Sequence, residues 1–133
     1  MNWMRTLLAG LAAGIVVFLA DFVLHGQIMA GTYSRYGAFS QEQVNPLYFL
    51  LVSVCIAIPA ALFFTRTRNE WAAGFKGGAT FGLWLGFLAF FGNFYMPLVI
   101  KGFPYYLAWC WGGINVIEGL IGGAILGLLI KRN

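Results

Sequence analysis

The sequence predicts an all-α membrane protein, a four-transmembrane-helix bundle with both termini inside, closed by glycine-ladder packing. Three observations predict it. The chain of 133 residues is 61% hydrophobic and only 9% charged, against roughly a quarter charged in soluble domains. Its mean hydropathy is +0.81. Four apolar runs are each long enough for a hydrocarbon core of roughly 30 Å, which takes about 20 residues. Finally, the 18 glycines recur at helical spacing instead of clustering in turns.

The spans fall at about Thr6–Met29, Leu47–Thr65, Trp71–Met96 and Tyr105–Ile130. The longest connection, between Ala30 and Pro46 (GTYSRYGAFSQEQVN with its flanks), is too short for a soluble domain. The chain therefore reads as a single transmembrane domain, 1–133. The first run could imitate a signal peptide, with Arg5 ahead of LLAGLAAG. It continues well past a typical h-region and shows no small-residue cleavage site, so it reads as a retained first span. In the second, Pro59 bends a helix whose neighbours can reclaim the freed carbonyl. In the third, Gly74, Gly78, Gly82 and Gly86 form a four-residue ladder; the fourth answers with Gly119, Gly123 and Gly127. The first adds Gly10 and Gly14. Glycine costs roughly 1 kcal/mol in a soluble helix, but in lipid small residues let backbones approach closely.

Charge sets the orientation. With the N-terminus inside, Arg5, Arg66, Arg68, Lys76, Lys131 and Arg132 are cytoplasmic, and Arg35 and Lys101 are left outside. Tyr33, Tyr36, Tyr48, Tyr95, Tyr105, Tyr106 and Trp109 gather at the outer boundary, where amphipathic rings settle. Pro97 and Pro104 bracket the short outer connection LVIKGF. The net charge of +4 is thus topology and not a basic stripe, which excludes nucleic acid as a partner. Cys55 and Cys110 lie far apart within apolar runs, as small buried hydrophobes. A faint echo of FLADF (18–22) in FLAFF (87–91), and of NPLYFL (45–50) in FPYYLA (103–108), is compatible with a duplicated hairpin or with chance.

Polar residues interrupt this pattern. FLADFVLHG (18–26) places Asp21 and the single histidine, His25, four residues apart. At about 100° per residue, Gly10, Gly14, Val17, Asp21 and His25 share one face. Asn93 continues the small face of the third span, and Asn115 lines up with Gly119 and Gly122, with Glu118 at the edge of that arc. At roughly 1.5 Å per residue, Asp21 and Asn93 come within about 10 Å of the outer surface, and Asn115 and Glu118 lie roughly 12–17 Å down. A charge at mid-membrane costs at least about 2.5–3.5 kcal/mol, so these carboxylates must face each other, water or a ligand.

Three chemistries fit a cluster of Asp21, His25, Asn93, Asn115 and Glu118. It can be a structural network, with Glu118 protonated and hydrogen-bonded. It can be a proton relay or ion-binding site, because a histidine titrates near neutral pH and a buried carboxyl can be raised toward the same range. Or it can hold a metal, with Asp21, His25 and Met29 repeating at four-residue spacing and Glu118 adding an oxygen. Phe81, Trp84, Phe87, Phe90, Phe91 and Phe94 either face acyl chains or line a groove for a lipophilic cofactor. There is no nucleophile triad, phosphate loop, zinc spacing or dinucleotide fingerprint, so an enzyme is the minority reading.

In DFVLHGQIMAGTY (21–33), GGATFG (77–82), NFYMP (93–97) and WCWGGINVIEGLIGGAILGLLIKR (109–132), the chain resembles small bacterial four-helix membrane proteins of the domain-of-unknown-function kind. The resemblance covers most of the chain. It implies an inner-membrane location and the four-helix plan, places His25, Gly26, Tyr33, Asn93 and Glu118 at the pattern's polar positions, and brings no activity, cofactor or partner. The sequence thus leaves open a non-enzymatic membrane module (a homo-oligomer or an accessory subunit of a larger complex), a small proton- or ion-coupled transporter or channel using Asp21, His25 and Glu118, and a metal- or lipophilic-cofactor-binding protein.

Overall fold

A computed structural model describes residues 2–37 and 45–132, and every regular element in them is helical. Residues 38–44, part of the connection between Ala30 and Pro46, lie outside the described residues, as do Met1 and Asn133. Four helices are long and apolar enough to cross a membrane: Trp3–Ile28, Pro46–Arg66, Gly74–Val99 and Tyr105–Leu129.

α1 (Trp3–Val23) starts at Asn2, whose side chain accepts a hydrogen bond from the Arg5 amide at 3.1 Å, a standard N-cap. Its buried residues are Thr6, Ala9, Gly10, Ala13 and Gly14, the i, i+3, i+4, i+7, i+8 face of a helix. The helix then widens into one π turn, Leu24–Ile28, which contains His25. Beyond Met29 the short α2 (Ala30–Tyr33) completes this end.

α3 (Pro46–Arg66) is capped by Asn45, which accepts from the Leu47 amide at 3.0 Å, with Pro46 in the first turn where its missing N–H costs nothing. It packs on the small face of α1. A Cβ on Gly14 would stand 2.8 Å from the Val54 Cα, and one on Gly10 3.0 Å from that of Ile58. A 3₁₀ turn, Arg68–Glu70, leads into α4 (Gly74–Gly92). α4 opens on Gly74 at φ +68°, where a side chain would be strained. After α4 come the short α5 (Tyr95–Val99) and then α6 (Tyr105–Leu129). Within the third candidate span, two turn residues, Asn93 and Phe94, separate α4 from α5.

α4 and α6 meet backbone to backbone. Gly78 lies against Gly123 and Gly127, Gly82 against Gly119 and Gly123, and Gly86 against the main chain of Asn115 and Val116. At each contact a Cβ would overlap main-chain atoms of the partner helix. The remaining apolar core, Ala9, Ala13, Ala57, Ala61, Phe64, Phe81, Leu126 and Ile130, draws on all four long helices and sits toward the end that carries the N-terminus. Phe81 is at its centre, with ring centroids of Phe64, Trp71 and Phe63 at 5.0, 5.5 and 5.6 Å.

That end is also tied by arginines donating to carbonyls. Arg68, 4% exposed, donates from Nε to the Ile130 carbonyl at 2.7 Å and from an Nη to that of Ala72 at 2.9 Å, and lies over the Phe64 ring. Arg5 Nε donates to the Leu129 carbonyl at 2.7 Å and Arg132 to that of Asn69 at 2.9 Å. The last carbonyls of α6 are thus satisfied by cations, the sign the helix dipole favours at its C-terminus. Sequence reading placed Arg68 among the topology-setting charges and did not foresee its burial.

Candidate functional site

The site lies between α1 and α6 at the end opposite the arginine ties. These helices run antiparallel, and Val17 reaches Gly122, where an added Cβ would stand 2.9 Å from its Cγ2. One turn further along α1 is Asp21, and one turn back along α6 is Glu118, so the two carboxyls face each other across the helix pair. One donor atom each from Asp21, His25 and Glu118 fall within 4.8 Å of one another, and all three residues are half-buried. His25 Nε2 stands 3.7 Å from Asp21 Oδ1, an i, i+4 pair whose side chains are 29% and 27% exposed. Glu118 Oε1 is buried and has no hydrogen-bond partner among the described residues.

The π turn gives His25 its position, because it advances the backbone by one residue relative to α1. The chain then turns through Met29 into α2, and Tyr33 comes back over the imidazole. The Tyr33 hydroxyl is hydrogen-bonded to His25 Nδ1, with the two rings stacked at a centroid distance of 5.9 Å. Trp111, on α6, donates from Nε1 to the same hydroxyl at 2.6 Å and meets both rings edge-on. Burial pushes the Tyr33 phenol above its usual pKa, so it keeps its proton at neutral pH.

This hydrogen bond allows two tautomers. If Tyr33 donates to Nδ1, Nε2 carries the ring proton and directs it toward Asp21. If Nδ1–H donates to the Tyr33 oxygen, Nε2 presents a lone pair to the carboxyls. Either way, Tyr33 and Trp111 fix the ring with Nε2 turned into the cluster. A chain of Trp111, Tyr33, His25 and Asp21 therefore runs from α6 through α2 and the π turn to α1.

Of the residues expected at the cluster, Asp21, His25 and Glu118 come together. Asn93 does not take the role foreseen for it. It ends α4, and its side-chain nitrogen donates to the Ala89 carbonyl of its own last turn at 2.9 Å. Asn115 is half-buried on α6, with its carbonyl oxygen against Gly86. Met29 caps the π turn. The sequence puts Tyr33 at the outer boundary and among the polar positions of the resemblance, and does not single out Trp111. A polar-tipped aromatic eight residues after a histidine is the only cue the sequence offers, and without the turn between them it carries no register.

Elsewhere, a groove of about 550 Å³ lies at the arginine end between α1 and α6, lined by Arg5, Leu8, Leu128 and Lys131 among others. It touches none of the cluster. No known protein family, curated protein or solved structure matches the chain. The resemblance in its glycine and polar motifs therefore carries no family assignment, and function must be argued from the site.

Proposed function

We propose that this chain is a multi-pass bacterial inner-membrane module with both termini in the cytoplasm, non-enzymatic, working as a homo-oligomer or as an accessory subunit of a larger complex. Its business end is a polar binding site in the outer half of the bundle. The observation that carries this reading is the convergence of Asp21, His25 and Glu118 from residues 97 apart in sequence onto one spot between α1 and α6. A structural network would satisfy its own members, yet Glu118 keeps a buried oxygen without a partner among the described residues. That oxygen supports a site arranged to meet a further group, since a buried acceptor left alone is costly.

The orientation is supported by the basic residues. Arg5, Arg68 and Arg132 bind carbonyls at one end, with Lys131 alongside, which the positive-inside rule assigns to the cytoplasm. The glycine contacts of α4 with α6 supply a rigid half against which α1 and α3 are set. Large apolar side chains such as Leu51, Val52, Ile56, Leu88, Phe91 and Leu98 face outward, as lipid or a second membrane subunit requires.

Native mass spectrometry from mild detergent tests this reading. A defined oligomer, a foreign subunit or a retained ligand supports the module. A bare monomer points instead to a small ion-coupled transporter, the reading favoured by the partial exposure of Asp21 and His25. In that case reconstituted liposomes should show a cation flux that disappears in Glu118→Gln, and flux unchanged by that substitution would remove the transporter reading.

A further inference from the structure

The geometry points to a site for a divalent first-row transition-metal ion, held by the carboxylates of Asp21 and Glu118 and by Nε2 of His25, with Tyr33 and Trp111 as the groups that orient the imidazole. This rests on reading the cluster as a binding site, and names its ligand.

Four observations converge on it. The first is distance. Three donors already within 4.8 Å of one another need move inward by less than about 1 Å each to share an ion at the roughly 2.0–2.2 Å of imidazole and carboxylate bonds. The second is the unpartnered Glu118 oxygen. A buried Oε1 with no hydrogen-bond partner among the described residues is costly unless a proton or a cation meets it.

The third is the ring's other nitrogen. A metal-binding histidine nearly always donates its second N–H to an oxygen that fixes its tautomer and angle. His25 Nδ1 is bonded to the Tyr33 hydroxyl, which Trp111 Nε1 holds in place at 2.6 Å. A histidine serving only to pair with Asp21 would not require that support. The fourth is charge. With both carboxyls ionised and the imidazole neutral, the three ligands would carry a formal charge of −2, which a divalent ion balances.

The donor set narrows the ion. One nitrogen and two carboxylates, with no thiolate, suit Mn²⁺, Fe²⁺, Co²⁺ or Zn²⁺; Mg²⁺ and Ca²⁺ favour oxygen alone, and Cu⁺ seeks sulfur. The three protein ligands leave at least one position for water or a further ligand. The partial exposure of Asp21 and His25 puts that position at the mouth of the cluster.

The full chain, purified in mild detergent and stripped with a chelator, should take up one Co²⁺ per chain, with absorption bands of a low-coordinate nitrogen- and oxygen-bound ion. Mn²⁺ and Zn²⁺ should compete and Mg²⁺ should not. Glu118→Gln and His25→Ala should each weaken Co²⁺ binding by at least about 100-fold. Tyr33→Phe, which leaves every donor in place, should weaken it by about 10- to 100-fold. If His25→Ala does not fold, as judged by size-exclusion profile and circular dichroism, Tyr33→Phe and Glu118→Gln decide the matter. Wild type that binds none of the three ions, or a folded Glu118→Gln chain that binds Co²⁺ as wild type does, overturns the metal site. A chain without metal that still retains a subunit or another ligand in native mass spectrometry loses only this inference; one that retains nothing loses the module as well.

Discussion

α6 is packed in two different ways along its two sides. Toward α4 it offers Gly119, Gly123 and Gly127, and at that level the two backbones touch with no side chain between them, while nearer the other end the Phe90 ring of α4 packs on Gly112 and Trp109. Toward α1 and the turn that follows it, α6 offers Gly122 against Val17 at one level and Glu118 and Trp111 above it, where the contact is made through polar groups. The contrast separates scaffold from site. A contact made only of backbone has a single geometry and nothing to bind. A contact made through carboxyls, an imidazole and a phenol presents polar atoms, and one of them, Glu118 Oε1, is buried without a hydrogen-bond partner among the described residues.

The sharpest way to break this contrast is to place a side chain in the glycine contact. Gly82→Leu would drive a Cβ into the Gly119 main chain, which cannot yield as a flexible side chain would. We expect a loss on the order of 5 kcal/mol, the exceptional class of single substitutions, and no monodisperse protein from detergent. Gly113, on the partner helix α6 but with open space around its Cβ position, is the control. Gly113→Ala should leave the thermal midpoint unchanged or slightly raised. Equal loss in both variants would mean that glycine flexibility, and not close approach, is what the α4–α6 pair needs.

Next in size is the apolar core. Phe81→Ala empties a site 1% exposed and ringed by Phe63, Phe64 and Trp71, and should cost about 3–5 kcal/mol in a reversible unfolding titration. Smaller again is Arg68→Ala, which frees the carbonyls of Ile130 and Ala72 at the end of the bundle. Water can replace part of what is lost there, so about 1.5–3 kcal/mol is expected. A neutral result would show that Arg68 serves topology alone.

The sequence revealed these two sides unequally, for a physical reason. Glycine ladders and apolar runs repeat at the helical period, so Gly78, Gly82 and Gly86 could be assigned to one face without knowing what they meet. Asp21 and His25 were likewise legible, being one turn apart. Glu118 could be assigned to the edge of the small face of the fourth span but not set against a partner. Tyr33 could be placed at the outer boundary but not against His25 and Trp111, because their meeting depends on the π turn at Leu24–Ile28 and on the reversal through α2. A π turn shifts the register by one residue and leaves no mark in hydropathy. The same limit explains Asn93. It has the period of the packing face, but it stands where α4 ends, and there the nearest acceptor is the Ala89 carbonyl of its own helix.

The smallest expected effect is the one that discriminates best. Glu118→Gln keeps the shape of the side chain and its capacity to accept and donate hydrogen bonds, so a carboxyl that merely fills space between α1 and α6 can be exchanged at a cost of about 1 kcal/mol or less. A carboxylate needed to balance a cation cannot be exchanged without losing the ion. The variant should therefore unfold within about 1 kcal/mol of wild type when both are measured after chelation. Wild type alone should gain stability as ligand is added, by an amount that grows with the logarithm of ligand concentration. If instead the chelated variant falls by about 3 kcal/mol or more, Glu118 is holding the helices together in the same sense as the glycines on the other side of α6. The division between a scaffold side and a binding side would then have to be abandoned. Because α1 reaches α6 through Val17 and Gly122 one turn below Glu118, that contact persists without the carboxyl, which is why the small effect is the one expected.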